Sequence, residues 1–240
     1  MLKSSLKLLA VTLVCVFLAD VEITTLDPWV ELTRMIRGAL SPDLPVLWDY
    51  HQAIQNTVVF ATCGLTLGLL IGAPLSLIFH FRVIRTGCAL IRAVHEIFWA
   101  FLFLPVVGLN PICGVLAIAI PYSGVFAKVF AEIMEEADRR PVRARPDQSD
   151  LISRFAYGVL PVVLKSARSY SAYRFECALR SSAVLGFIGL PTLGFHLETA
   201  FREGLYSEAA AILYAFYFLI FSLRWWLKPR IVGIGIVAAF

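Results

Sequence analysis

Apolar residues fall along this chain in long runs, separated by short polar breaks. Leu8–Ala19 is the first run, preceded by Lys3 and Lys7. Its end, Phe17-Leu18-Ala19, lacks a small-x-small cleavage site, so the pattern predicts an uncleaved first helix. Asp27-Pro28-Trp29 then reads as a helix start, with Pro28 at the first helical position. Trp29, Leu32, Ile36 and Leu40 share one face, which predicts a short helix lying at a membrane surface. Trp48, Asp49 and Tyr50 mark a second interfacial entry.

Thr57–Phe79 is the clearest span, long enough to cross a hydrocarbon core of about 30 Å at about 1.5 Å per residue. Gly64, Gly68 and Gly72 recur every four residues along it. Such a small-residue stripe lets another helix approach closely, here as packing within one subunit. Pro74 is expected to kink its end. His80, Arg82 and Arg85 form a basic turn, and Cys88–Val107 re-enters with Arg92, His95 and Glu96 in its first half. Ile112–Phe130 returns, with interruptions expected at Pro121 and Gly124. A charged hairpin, about 131–168, follows. Tyr170–Leu190 is mostly apolar but carries Arg174, Glu176 and Arg180, and Pro191 and Gly194 break it. Ala209–Leu223 is the last strong span, and the tail 231–240 is too short to cross.

Lys and Arg concentrate at the N-terminus, the 80–92 turn, the hairpin and the 224–230 closure, while the alternate connections are acid-rich. The positive-inside rule then predicts about six spans, with both termini and the hairpin in the cytoplasm. The expected organisation is an anchor and interfacial region over 1–56, a transmembrane domain over 57–230 and an apolar tail over 231–240.

Composition agrees: 59% of the 240 residues are hydrophobic and 16% charged, against about 45–50% and about 25% in soluble domains. The net charge of +4 comes with no basic face interleaved with exposed aromatics, which argues against nucleic-acid binding. Cys15, Cys63, Cys88, Cys113 and Cys177 all lie in apolar segments without ligand spacing and read as small buried thiols. His51, His80, His95 and His196 are dispersed, and no phosphate-binding GxxxxGK[ST] loop exists. The chain therefore reads as a non-enzyme that would need a separate ATPase for any nucleotide-driven role.

Ionisable groups inside spans cost about 2.5–3.5 kcal/mol each on insertion scales. Glu176 and Arg180 are four apart and read first as a structural pair, with lining of a polar path as the functional reading. Arg92 and Glu96 repeat that spacing and take the same reading. Arg174 has no acid at that spacing and is the better candidate to meet an anion, although snorkelling to the cytoplasmic surface explains it equally well.

GVFAKVFAEIMEEAD at 124–138, YGVLP at 157–161, SYSAYRFECALRSSAVLGFIG at 169–189 and the 99–124 stretch resemble the phosphonate-type branch of bacterial ABC importer permeases. The resemblance implies an all-α membrane protein of the type I ABC importer permease class with a cytoplasmic coupling hairpin. Such permeases carry a loop of Glu-Ala-Ala, three residues, Gly, nine residues and Ile-x-Leu-Pro. Here Leu160-Pro161 matches its end, while Val142-Arg143-Ala144, Gln148 and Gly158 occupy the other positions. The glycine-rich run after the fifth span is altered to Gly189-Leu190-Pro191-Thr192-Leu193-Gly194.

Implied by the resemblance are a cytoplasmic ATPase pair using ATP and Mg, a periplasmic solute-binding protein and a second permease subunit, identical or not. The implied coupling residues are Glu135, Glu136, Ala137, Gln148, Gly158, Leu160 and Pro161. Short helices at Val129–Ala137 and Asp150–Leu164 would carry the motion into the spans. The implied location is the bacterial inner membrane and the implied solute a phosphonate or related phosphorus oxyanion. A permease for another small polar solute such as an amino acid, a standalone secondary carrier and a non-transporting membrane assembly subunit are the alternatives. No repeat relates the two halves, as an inverted-repeat carrier would show.

Overall fold

The computed structural model describes residues 2–19, 27–137, 153 and 155–226. Among these the regular structure is helical throughout: α1 (Leu2–Leu18), α2 (Pro28–Leu40), α3 (His51–Leu77), α4 (Arg82–Ala93), α5 (Glu96–Val107), α6 (Pro111–Glu136), α7 (Leu160–Val184), α8 (Leu193–Arg202) and α9 (Tyr206–Trp226). Short turns at Leu44–Trp48 and Leu185–Ile188 are 3₁₀, and Phe155–Val159 is a single π turn leading into α7.

α6 is the central element. Of its most apolar window 61% is buried, against 28% for α3 and 22% for α9. Ala117, Ile118, Ala119, Phe126 and Ala127 on α6 are fully enclosed. α3 lies along α6 through the glycine stripe. A Cβ on Gly64 would stand 2.7 Å from the Ile118 Cβ, one on Gly68 2.9 Å from the Tyr122 Cβ, and one on Gly72 2.6 Å from the Phe126 Cβ. The three contacts advance together, so the two helices run parallel. The stripe therefore acts within one chain, as its spacing suggested.

α7 runs antiparallel to both. Its Ser182 hydroxyl donates to the Thr57 carbonyl at 2.8 Å, at the start of α3. The Thr57 hydroxyl in turn accepts from the Leu193 N–H at 3.0 Å, and Asn56 donates to the Pro191 carbonyl at 2.9 Å. These bonds tie the α7–α8 corner to α3. Gly189, with φ of +98°, turns the chain there, and the α7 and α8 segments meet at 50°. α2 packs on α9, where Tyr206 donates to Glu31 at 3.1 Å and Tyr214 to the Ala39 carbonyl at 2.8 Å. Trp29, Ile36 and Leu40 remain uncovered on its outer face.

Several expected boundaries move. Cys88–Val107 is not one continuous helix but parts of two, α4 and α5, meeting at 90°. Val94 and His95 are extended at the corner, and the His95 ring accepts from the Ile97 N–H at 3.3 Å, opening a new helix. The basic turn is absorbed into α4, which starts at Arg82. α6 passes through Pro121 and Gly124 without a break. Gly124 serves contact instead: a Cβ there would lie 2.9 Å from the Cys88 carbonyl oxygen, so α4 sits directly on it. α7 begins at Leu160, ten residues before the expected span start. Gly194 lies inside α8, close against the Ala183 carbonyl of α7, and does not break a helix. Among the described residues three helices are individually long and apolar enough to cross a membrane, or up to five if each bent pair counts as one. α1 holds a shorter apolar stretch, Ser5–Leu18. The tail 231–240 and the Gln148 region lie outside the described residues.

The seam gives a direct test. Gly72→Ala should destabilise the protein by about 1–3 kcal/mol through overpacking against Phe126. Gly87→Ala, on α4 with nothing within 4 Å of the new Cβ, should be neutral or stabilise by up to about 1 kcal/mol. Thermal unfolding of both variants in one detergent checks the contrast.

Candidate functional site: a charged cavity at the α4–α5 corner

The 90° corner leaves a cavity of about 540 Å³ between α4, α5, α6 and α7. Pro121, Tyr122 and Val125 line it from the middle of α6, so it lies at half the depth of the central helix. Arg92 enters from the last turn of α4, His95 and Glu96 from the corner, and Arg174 from α7. Two guanidinium groups thus face one carboxylate, and the lining is net positive.

Arg174 is held by tyrosines. Its Nε donates to the Tyr170 hydroxyl at 2.7 Å, one helical turn earlier. Its guanidinium carbon stands 5.2 Å from the Tyr170 ring centre, 5.8 Å from Tyr173 and 5.9 Å from Tyr122. Ring quadrupoles stabilise the cation without neutralising it. Among the described residues no carboxylate pairs with Arg174, so its charge stays available. Snorkelling is not needed to explain it.

Glu96 is held differently. The Ser181 hydroxyl of α7 donates to its Oε1 at 3.1 Å. The Tyr122 hydroxyl lies 3.5 Å from the Ser181 oxygen and extends the chain of hydroxyls into the cavity wall. His95 Nε2 lies 3.4 Å from the other carboxylate oxygen. Nδ1 of that ring accepts from the Ile97 N–H, which leaves Nε2 as the ring nitrogen nearer Glu96.

The expected pairs therefore divide. Glu176 and Arg180 do bond, at 2.5 Å, on a partly exposed face of α7, and neither lines the cavity. Arg92 and Glu96 do not bond, because the helix ends between them and Glu96 turns to Ser181 and His95. Arg92, Glu96 and Arg174 nevertheless converge on one cavity. The tyrosines and Ser181 escaped sequence reasoning, although Tyr170 and Arg174 stand at helical spacing that was there to be read.

A second cavity, about 400 Å³, opens at the far end of the bundle. Ser76 and His80 border it from the end of α3, and Met134, Glu135 and Ala137 from the end of α6. Phe155 and Val159 of the π turn close the other side. Glu136 ends α6, Gly158 is buried in the π turn, and Leu160-Pro161 open α7. The two described flanks of the hairpin thus meet at one end of the bundle. Gln148 and the 142–144 segment lie outside the described residues.

Known structures and sequences place this architecture. The fold matches a chain in the crystal structure of an amino acid ABC transporter with histidines, with a TM-score of 0.67 and 18% identity over 80% of this chain and 98% of that one. It also matches a chain of the MetNI methionine ABC transporter, with a TM-score of 0.70 and 13% identity over 79% and 98%. The class defined at this level is one of fold, shared with these chains of ABC transporter structures.

Sequence relatives narrow it. The phosphite transport system permease protein PtxC of Stutzerimonas stutzeri is 28% identical over 216 residues, covering 85% of this chain and 78% of that protein. A protein described as a cryptic phosphonate transport system permease, PhnE2 of Escherichia coli K12, is 34% identical over 99 residues, 41% of this chain and 81% of its own length. The phosphate-import permease protein PhnE of Mycolicibacterium smegmatis is 32% identical over 76% of this chain, which spans 36% of that longer protein. No family model matches the chain. The chain belongs to the family of phosphite, phosphonate and phosphate ABC transport permeases.

Different holds on the two cavity arginines predict different costs of removal. Arg174→Ala should lower stability by about 1–2 kcal/mol, through the lost ring contacts and an orphaned Tyr170 hydroxyl. Arg92→Ala should stay within about 0.5 kcal/mol of the parent, as for a substitution that breaks no bonded partner. Chemical or thermal unfolding of the two variants under identical conditions measures the difference.

Proposed function

We propose that this chain is the membrane permease subunit of a binding-protein-dependent ABC importer and that it passes phosphonate or a related phosphorus oxyanion. The observation that carries the reading is the net-positive cavity at half depth in a fold shared with ABC permeases. An arginine without a carboxylate partner at membrane depth is costly in a bilayer, and such residues mark solute paths; Arg174 is half-buried and Arg92 exposed to the cavity. Arg174 and Arg92 suit a tetrahedral oxyanion, since a guanidinium presents paired N–H donors to two oxygens. The relatives' names point to the same solute class.

In this reading the chain sits in the bacterial inner membrane with the hairpin and both termini on the cytoplasmic side. A cytoplasmic ATPase pair consumes ATP and Mg, a periplasmic protein delivers the solute, and a second permease subunit completes the path. α6 and α7 supply the transmission. Both reach from the hairpin flanks to the cavity, α6 from Glu135 back to Tyr122 and α7 from Leu160 to Arg174. Each segment is about 20 Å long at about 1.5 Å per residue. Closure of the ATPase against Glu135, Glu136 and the Gly158–Pro161 turn would tilt both helices as levers. Tyr122 and Arg174 would then shift relative to the α4–α5 corner and change which side the cavity faces.

Reconstitution with the ATPase and the solute-binding protein tests this. Proteoliposomes should accumulate phosphite or methylphosphonate only with ATP inside the coupling compartment. Combined Glu135→Ala and Glu136→Ala should cut solute-stimulated ATP hydrolysis by about tenfold or more, equivalent to about 1.4 kcal/mol of coupling. Uptake that proceeds without ATP, or unchanged stimulation in the double variant, would contradict the proposal.

A further inference from the structure

We infer that Glu96 is a specificity residue of the corner cavity: it accepts a hydrogen bond from a protonated oxygen of the solute, so the path admits hydrogen-bearing phosphorus oxyanions and rejects sulfate. The inference rests on the proposed function and adds to it the basis for choosing among tetrahedral anions.

A carboxylate on the wall of an anion path calls for a reason, because it repels every solute oxygen that lacks a proton. Neutralising the arginines is not that reason, since among the described residues Glu96 pairs with neither Arg92 nor Arg174. Its hydrogen bond comes from an uncharged donor, Ser181 at 3.1 Å to one oxygen, and His95 Nε2 lies 3.4 Å from the other. An ionised carboxylate has about four acceptor sites, so both oxygens retain capacity. The side chain keeps 19% of its surface open, and it is part of the cavity wall. The Ser181 bond anchors the carboxylate in the wall of the same cavity that Arg174 lines, where Tyr170 bonds the arginine.

The lining therefore combines guanidinium donors with an acceptor-only carboxylate. Near neutrality phosphate carries a P–OH in both its mono- and dianion, and phosphite and phosphonates carry one in their monoanions, so a P–OH is available to meet Glu96. Sulfate has the same shape and no proton. Placed between the same groups it would set two acceptors against each other. Sites built to bond a hydroxyl discriminate strongly against an analogue lacking it.

Equilibrium dialysis of the full-length protein with its ATPase in nanodiscs, without the solute-binding protein, tests the point with radiolabelled phosphate and sulfate. The parent should prefer phosphate by about tenfold or more. Glu96→Gln, whose amide can donate to sulfate, should lower the phosphate-to-sulfate ratio by about tenfold, chiefly by strengthening sulfate binding. Glu96→Asp should retain part of the preference. A purely structural role would weaken both anions alike and leave the ratio unchanged, which would overturn the inference. Equal binding of the two anions by the parent protein would overturn it without any variant. If the parent binds neither anion, the proposed function fails first and the inference falls with it; phosphate binding with an unchanged ratio in Glu96→Gln removes the inference alone.

Discussion

The close approach of α3 to α6 is the constraint from which the rest of the structure follows. Three glycines spaced four apart remove every side chain from one stripe of α3, so the helices meet at backbone distance. In a bilayer there is no hydrophobic gain from helix association, and dense packing of small residues supplies the attraction instead. The seam holds α6 rigid along most of its length. α4 sits on its Gly124, and α7 crosses both helices in the opposite direction. A corner can then be cut into the α4–α5 segment without loosening the bundle, and the corner is what creates an interior cavity.

The charges in that cavity are held by two different devices. Arg174 is surrounded by aromatic faces, which stabilise a cation while leaving its charge uncompensated. Glu96 is fixed by the Ser181 hydroxyl rather than by an arginine. A direct Arg–Glu bridge would have been simpler and would have closed the cavity to solute. Glu176 and Arg180, which do form such a bridge, lie off the cavity on the outer side of the same helix. The distinction between a structural ion pair and a cavity-lining charge is thus visible in what each charge bonds.

Much of this was legible in the chain. The glycine stripe, the long α3 and α6 and the surface helix α2 follow from spacing and hydropathy alone. The charge of Arg174 stood out because no acid lies four residues away. The corner did not. Cys88–Val107 has the length and apolarity of a single span, and the break at Val94–His95 is made by a histidine ring that caps α5, a role that composition does not signal. Pro121 and Gly124 misled in the opposite sense, since both residues serve packing inside an unbroken helix. Arg92 and Glu96 carried the right spacing for a pair on a helix that does not continue between them. The tyrosine box needed three residues from two helices, and only its α7 half, Tyr170, Tyr173 and Arg174, is local in sequence.

The central claim is that the corner cavity is wet, lies within the membrane and takes the solute. Ala93 lines it at the corner itself. Placing a single cysteine there, in a protein whose five native cysteines are replaced by alanine, allows a membrane-impermeant maleimide to report access from each side. The account predicts labelling from one side at a time, a change of side on ATPase turnover, and slower labelling when phosphite is present. A cysteine at position 93 that stays unlabelled from both sides in every state, or one whose labelling ignores phosphite, would contradict it.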